Sequence, residues 1–218
     1  MKIEFPMATK RTARARRQVS GEAPENPSIY QLRMTLLGTA PPIWRRLLVP
    51  AGFTLAQLHN VLQIVMGWQD MHLHEFRSGQ RHFGRLDPDD PFPGTPPLED
   101  ERKMELSAVL PHVDAKLLYI YDFGDYWKHE IVREQLLPAG PEAPCPICVN
   151  GERACPPEDC GGIYGYEELL EVLAKPKHRR HRELREWAGA GFDPGRFSIA
   201  DVNRRLAPSR HRPKVYVN

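Results

Sequence analysis

The apolar positions along the chain switch between two periods, and each switch marks an element. From residue 29 to 37, Tyr30, Leu32, Met34 and Leu36 alternate with Gln31, Arg33 and Thr35, the period-2 pattern of a half-buried strand. Pro41-Pro42 interrupts it, and Ile43-Trp44-Arg45-Arg46-Leu47-Leu48-Val49 predicts a second strand that Pro50 and Gly52 stop. The period then becomes helical. Thr54 with Gln57 makes a capping box, and Leu55, Leu58, Leu62 and Val65 recur on one face up to Gly67. His59, beside that stripe, reads as a boundary residue whose ring finds hydrogen-bond partners. His72-Leu73-His74-Glu75-Phe76 predicts a third strand with both histidines and the phenylalanine on one face. Residues 85–100 carry Pro88, Pro91, Pro93, Pro96 and Pro97 and form a long loop. Leu106, Val109 and Leu110 suggest a short helix after it.

Residues 117–137 give the clearest non-local signal. Two runs rich in aromatic and branched residues, 117–123 and 127–136, flank Gly124-Asp125, which predicts a hairpin. With Gly124 opening a type II′ turn, cross-strand partners would have positions summing to 249. One face would then carry Leu118, Ile120, Asp122, Trp127, His129 and Ile131, and the other Tyr119, Tyr121, Lys128, Glu130 and Val132. An acid and an imidazole would meet on an otherwise apolar face.

After Pro138 the chain is dominated by Pro, Gly and Cys through Gly162. Tyr166, Leu169, Leu170 and Leu173 then mark an amphipathic helix ending near Pro176. A second helix covers residues 178–188, and Ser198 caps a third that presents Ile199, Val202 and Leu206. Strands precede most helices instead of alternating with them, so the fold class expected is α+β. It would hold an antiparallel or mixed sheet with a central hairpin, packed by helices, with a C-terminal helical portion. The expected organisation is a flexible basic arm over 1–27, a domain over 28–207 containing a Cys/Pro/Gly-rich loop at 138–165, and a basic tail over 208–218.

Composition narrows the function classes. With 218 residues, 41% hydrophobic content and a formal charge of +2, the chain can bury a sizeable core, and any affinity for nucleic acid must be local. No stretch approaches the roughly 20 apolar residues of a membrane helix, and charges replace a secretory apolar region near the N-terminus. The expectation is a cytoplasmic protein with no membrane partner.

Several groups could carry chemistry. Cys145, Cys148, Cys155 and Cys160 supply the four thiolates of a structural zinc site, although the second pair is stretched relative to two C-x2-C halves. The other reading is free thiols or a local disulfide. Arg14, Arg16 and Arg17 in the arm, and Arg179, Arg180 and Arg182 in the second C-terminal helix, read as phosphate contacts to nucleic acid or as contacts to an acidic protein. Glu183 and Glu186 among the helical arginines support the plainer reading, a solvated face. Glu158 and Asp159, just before Gly161-Gly162, read as organisers of their own loop, and no P-loop Lys-Ser/Thr follows.

His72-Leu73-His74-Glu75-Phe76, Tyr121-Asp122-Phe123-Gly124-Asp125 with Trp127 and His129, the run from Gly151 to Gly162, Gly165-Tyr166-Glu167 and Phe192-Asp193-Pro194 together resemble the plasmid pRiA4b ORF-3-like family. The similarity covers about residues 29–206. It implies a compact α+β domain, found on plasmids, mobile elements and chromosomes, with no established activity. Two functions follow as expectations. The first is a non-enzymatic binding or accessory protein that contacts nucleic acid or a protein. The alternative is a metal-dependent hydrolase using His72, His74, Asp122 and His129 beside the hairpin.

Overall fold

A computed structural model describes residues 28–86, 97–139 and 146–207. The described residues form one eight-stranded mixed sheet. Its strands are β1 (Ser28–Leu36), β2 (Ile43–Pro50), β3 (His74–Ser78), β4 (Arg81–Gly84), β5 (Leu98–Asp100), β6 (Lys116–Tyr121), β7 (Trp127–Pro138) and β8 (Ile147–Glu152). They run in the order β5-β4-β3-β6-β7-β1-β2-β8, antiparallel except for the β4–β5 pair at one edge. The helices are α1 (Leu55–Met66), α2 (Leu106–Val109), α3 (Gly162–Leu173), α4 (His181–Ala188) and α5 (Ile199–Leu206). This is the α+β architecture expected from the chain's periodicity.

The two sheet faces differ sharply. Tyr30, Leu32, Met34 and Leu36 of β1 share the core with Leu47 and Val49 of β2, Trp127 and Ile131 of β7, and Tyr119 and Tyr121 of β6. Helix α1 lies against this face with Leu55, Leu58, Leu62 and Val65 buried, each contributing about 1.5–3 kcal/mol of transfer free energy. Asn203 of α5 clamps the β8 edge by donating to the Cys148 carbonyl and accepting from its N–H, both at 2.8 Å. On the opposite face, polar and charged side chains pair with one another: Arg46 and Gln31 meet Glu134, and Lys116 meets Glu130. Among the described residues no helix is long and apolar enough to cross a membrane.

The hairpin is present but its register is one residue from the expected one. Partners run from Lys116↔Val132 to Tyr121↔Trp127, so paired positions sum to 248, and Tyr119 faces His129 instead of Glu130. Gly124-Asp125 does not make a two-residue turn. The connection spans residues 122–126, with Asp122 and Tyr126 both left-handed (φ 57° and 58°). The Asp122 carboxylate accepts from the Gly124 N–H at 2.8 Å, and the Tyr126 N–H reaches the Asp122 carbonyl at 2.6 Å. Asparagine and aspartate tolerate this conformation because the short side chain bonds locally, so the turn did not need its glycine. The slip exchanges the faces of β6. Leu117, Tyr119 and Tyr121 join Trp127, His129 and Ile131 in the core, and Asp122 leaves the strand altogether.

Three strands were not foreseen: β4, β5 and β8. The last lies inside the stretch read as a Cys-rich loop. The H-x-H strand begins only at His74, which leaves His72 in the connection before it.

Candidate functional site at the meeting of three segments

Three segments far apart in the chain converge at one end of the core. The first follows α1, which Gly67 terminates in the left-handed conformation (φ 89°). Trp68 then stacks on Tyr121 with ring centroids 4.8 Å apart and donates from Nε1 to the Pro156 carbonyl at 3.0 Å. The second segment is the hairpin connection. The third runs from Pro156 to Gly162. Glu158 joins all three: one oxygen accepts from the Tyr121 hydroxyl at 2.6 Å and the other from the Gln69 N–H at 3.0 Å. Burial, reinforced by Glu158, raises the Tyr121 pKa above the usual phenol value. Asp125 accepts from the Gly161 N–H at 3.2 Å. A Cβ on Gly162 would come within 2.6 Å of the Asp125 carbonyl oxygen, so this approach needs a glycine. Glu158 therefore braces the hairpin and the Trp68 segment, instead of bonding its own loop amides.

The four residues of the expected hydrolytic cluster separate into three places. His74 stacks on His59, centroids 3.5 Å apart and planes 7° from parallel. Each ring has its own carboxylate: His59 Nε2 is 2.9 Å from Asp70, and His74 Nε2 is 2.7 Å from buried Glu101. His59 Nδ1 meets the Tyr119 hydroxyl, which also accepts from Gln63. Burial, then the neighbouring His74, lowers the His59 pKa. His129 stands alone in the core, fully buried, with neither ring nitrogen in a well-formed hydrogen bond. Burial depresses its pKa to about 3, so it is a neutral imidazole. His72 pairs with Asp122, as the hydrolytic reading required, but the third partner is Asp159.

The predicted cysteine and arginine groups fall only partly among the described residues. Cys145 lies outside the described residues, and Cys148, Cys155 and Cys160 are free thiols. Their sulfurs do not come together within 4.8 Å as a group. Burial pushes the Cys160 thiol up to about 12 and raises those of Cys148 and Cys155. Arg14, Arg16 and Arg17 lie outside the described residues. Arg180 is taken up by Glu168 at 2.6 Å and Glu183 at 3.4 Å, and exposed Arg182 is 3.9 Å from Glu186. Arg179 is exposed, without an ion pair among the described residues.

Beside the meeting point opens a cleft of about 900 Å3, lined by Trp68, Glu158, Asp159 and residues of the C-terminal helical portion. Arg45 forms part of its wall. This residue sits on the core face of β2 and is 1% exposed, yet its guanidinium bonds only backbone carbonyls, of Val65, Trp44 and Glu152. It also stacks over the Phe197 ring at 3.8 Å. Among the described residues neither Arg45 nor the cleft-lining Arg196 and Arg205 has a carboxylate partner.

The model of the plasmid pRiA4b ORF-3-like protein family matches residues 28–201. The chain belongs to that family. A relative, the uncharacterized protein y4hQ of Sinorhizobium fredii (strain NBRC 101917 / NGR234), is 41% identical over 181 residues, 82% of this chain and 91% of its own. The crystal structure of MM3350, a protein of unknown function from Methanosarcina mazei Go1, is 38% identical with a TM-score of 0.73. That match covers 81% of this chain and 98% of the archaeal one.

In this ORF-3-like protein two of the motifs that carry the family resemblance, the one beginning at Tyr121 and the run from Gly151 to Gly162, meet where Glu158 accepts from the Tyr121 hydroxyl. Sequence reasoning joined His72 to Asp122 but read Asp159 only as an organiser of its own loop. It passed over Arg45, whose place in an alternating strand was the one available signal: a charge at a position in register with the core face. Arg196, Arg205 and Trp187 had no local signal, since a cleft wall is assembled from several elements.

Proposed function

We propose that this ORF-3-like protein is a non-enzymatic binding protein whose ligand surface is the cleft, and that the ligand is a phosphate-bearing strand of nucleic acid. The observation that carries this reading is Arg45. Burying a cation without a counter-ion is costly, and an anionic ligand would supply the charge that the described side chains do not. Arg196 and Arg205 extend the cationic part of the wall, and Trp187 of α4, 49% exposed, adds a flat face for a base. Arginines that follow a backbone, with an aromatic side chain to stack on, are the usual recipe for single-strand binding. The cleft also carries acids: Glu158 and Asp159 lie where the three segments meet, while Asp193 accepts from the Gly195 N–H and Asp201 pairs with Arg204. The hydrolase reading loses its support because His72, His74, Asp122 and His129 do not face one reacting point.

The test is fluorescence anisotropy of a labelled single-stranded oligonucleotide with the full chain across a salt series. The expected result is saturable binding that weakens steeply with salt. Arg196→Ala and Arg205→Ala should each reduce the log–log slope by about 1, and Trp187→Ala should weaken binding at every salt concentration. Absence of binding, or slopes that change only with Arg179→Ala, would refute the cleft as the ligand surface.

A further inference from the structure

We infer that His72, Asp122 and Asp159 bind one divalent cation, at a site independent of the nucleic-acid reading of the cleft. Their donor atoms all lie within 4.8 Å of one another. His72 Nε2 is 3.1 Å from Asp159 Oδ1 and 3.7 Å from Asp122 Oδ2. The nitrogen is buried, yet neither oxygen lies where a ring N–H could donate to it. A hydrogen-bond acceptor sits along the ring-nitrogen axis at about 2.7–3.2 Å. Two ligands of one ion, each about 2.0–2.2 Å from it, instead lie about 3.0–3.7 Å apart and off that axis. The His72 surroundings match the second arrangement.

The surrounding charge points the same way. Asp122, Asp125, Glu158 and Asp159 gather at the meeting of the three segments, and among the described residues none pairs with a lysine or arginine. The donors are also held in place. Asp122 and Asp159 are both left-handed, at φ 57° and 60°. The Asp122 N–H bonds the Leu73 carbonyl at 2.9 Å, next to His72, and its Oδ1 is occupied by Gly124, which leaves Oδ2 for an ion. Asp159 follows Glu158, itself fixed by Tyr121 and Gln69.

The second histidine cluster does not compete. The rings of His59 and His74 are parallel and stacked, so their in-plane lone pairs cannot converge on one ion, and each Nε2 already has its carboxylate. One imidazole with two carboxylates is an oxygen-rich set suited to Mn2+, Mg2+ or Zn2+, with positions left for water or a ligand oxygen.

Mn2+ is the probe of choice because thiolates favour softer metals, which keeps the cysteines silent. Titration of the full chain, followed by loss of the free-ion electron paramagnetic resonance signal, should give one Mn2+ per chain. His72→Ala and Asp159→Ala should weaken binding at least about 10-fold, a loss that changes outside the ligand shell already reach. Asp159 is 72% exposed in its side chain, so that variant should fold. Cys148→Ser and His74→Gln should bind as the parent does. No saturable Mn2+ binding, binding indifferent to both His72→Ala and Asp159→Ala, or loss on His74→Gln alone would overturn the assignment. Oligonucleotide binding measured with a chelator present tests the cleft separately.

Discussion

At the scale of single residues, burial decides what an ionisable group can do. His129 is the clearest case. The unfolded chain protonates this imidazole below a pH of about 6.5, whereas the native protein does so only near pH 3. Between those values the unfolded state binds the extra proton, so stability falls as pH falls through the window. From pH 7 to pH 5 this one group should remove about 2 kcal/mol. Urea unfolding at the two pH values should show the acid loss in the parent, and a loss smaller by about that amount in His129→Leu. Equal losses would mean that the core admits the charged ring. Arg45 follows the same rule from the other side, since its charge stays and must be compensated.

At the scale of elements, close backbone approach fixes where α3 can begin. A Cβ on Gly165 would lie 1.8 Å from the Cys160 carbonyl oxygen and 2.8 Å from its carbon, a collision of backbone with backbone that no rotamer relieves. Gly165→Ala should therefore cost roughly 2 kcal/mol or more, the upper part of the range for overpacking. It should also shift the 156–162 loop. Tyr164→Ala, one position away and 86% exposed, should change stability by less than about 0.5 kcal/mol. Chemical denaturation of the two variants makes the comparison, and similar effects would contradict the packing described. The hairpin teaches the same lesson. Its existence was legible because propensity and turn residues are local, but its register depended on which side chains the core would take. The Tyr119 and Tyr121 hydroxyls find His59, Gln63 and Glu158 on the core face, and those partners lie up to 60 positions away in the chain.

At the scale of the whole molecule, Glu158 ties the C-terminal half to the sheet. Its bond to Tyr121 spans 37 positions and its bond to Gln69 spans 89. A double-mutant cycle with Tyr121→Phe and Glu158→Gln should show a coupling of about 1–2 kcal/mol, as expected for a partly buried bond to a charged acceptor. A coupling near zero would mean that the segments are held by packing alone. What could be read from the chain alone were features with local causes. The Thr54–Gln57 capping box and the Ser198 cap are both formed, and the alternation of β1 and β2 is as the side chains dictate, because caps and periods depend on neighbours a few residues away. Family membership was legible for a related reason, since its motifs are contiguous. Tertiary structure alone decided that β8 would zip onto β2, that His72, His74 and His129 would part, that Asp159 would take the third place beside His72, and that Arg45 would be buried in a cleft wall with backbone carbonyls as its hydrogen-bond partners. Each of these rests on contacts between distant segments, where the energy of burial and charge pairing outweighs anything a residue's immediate neighbours can impose.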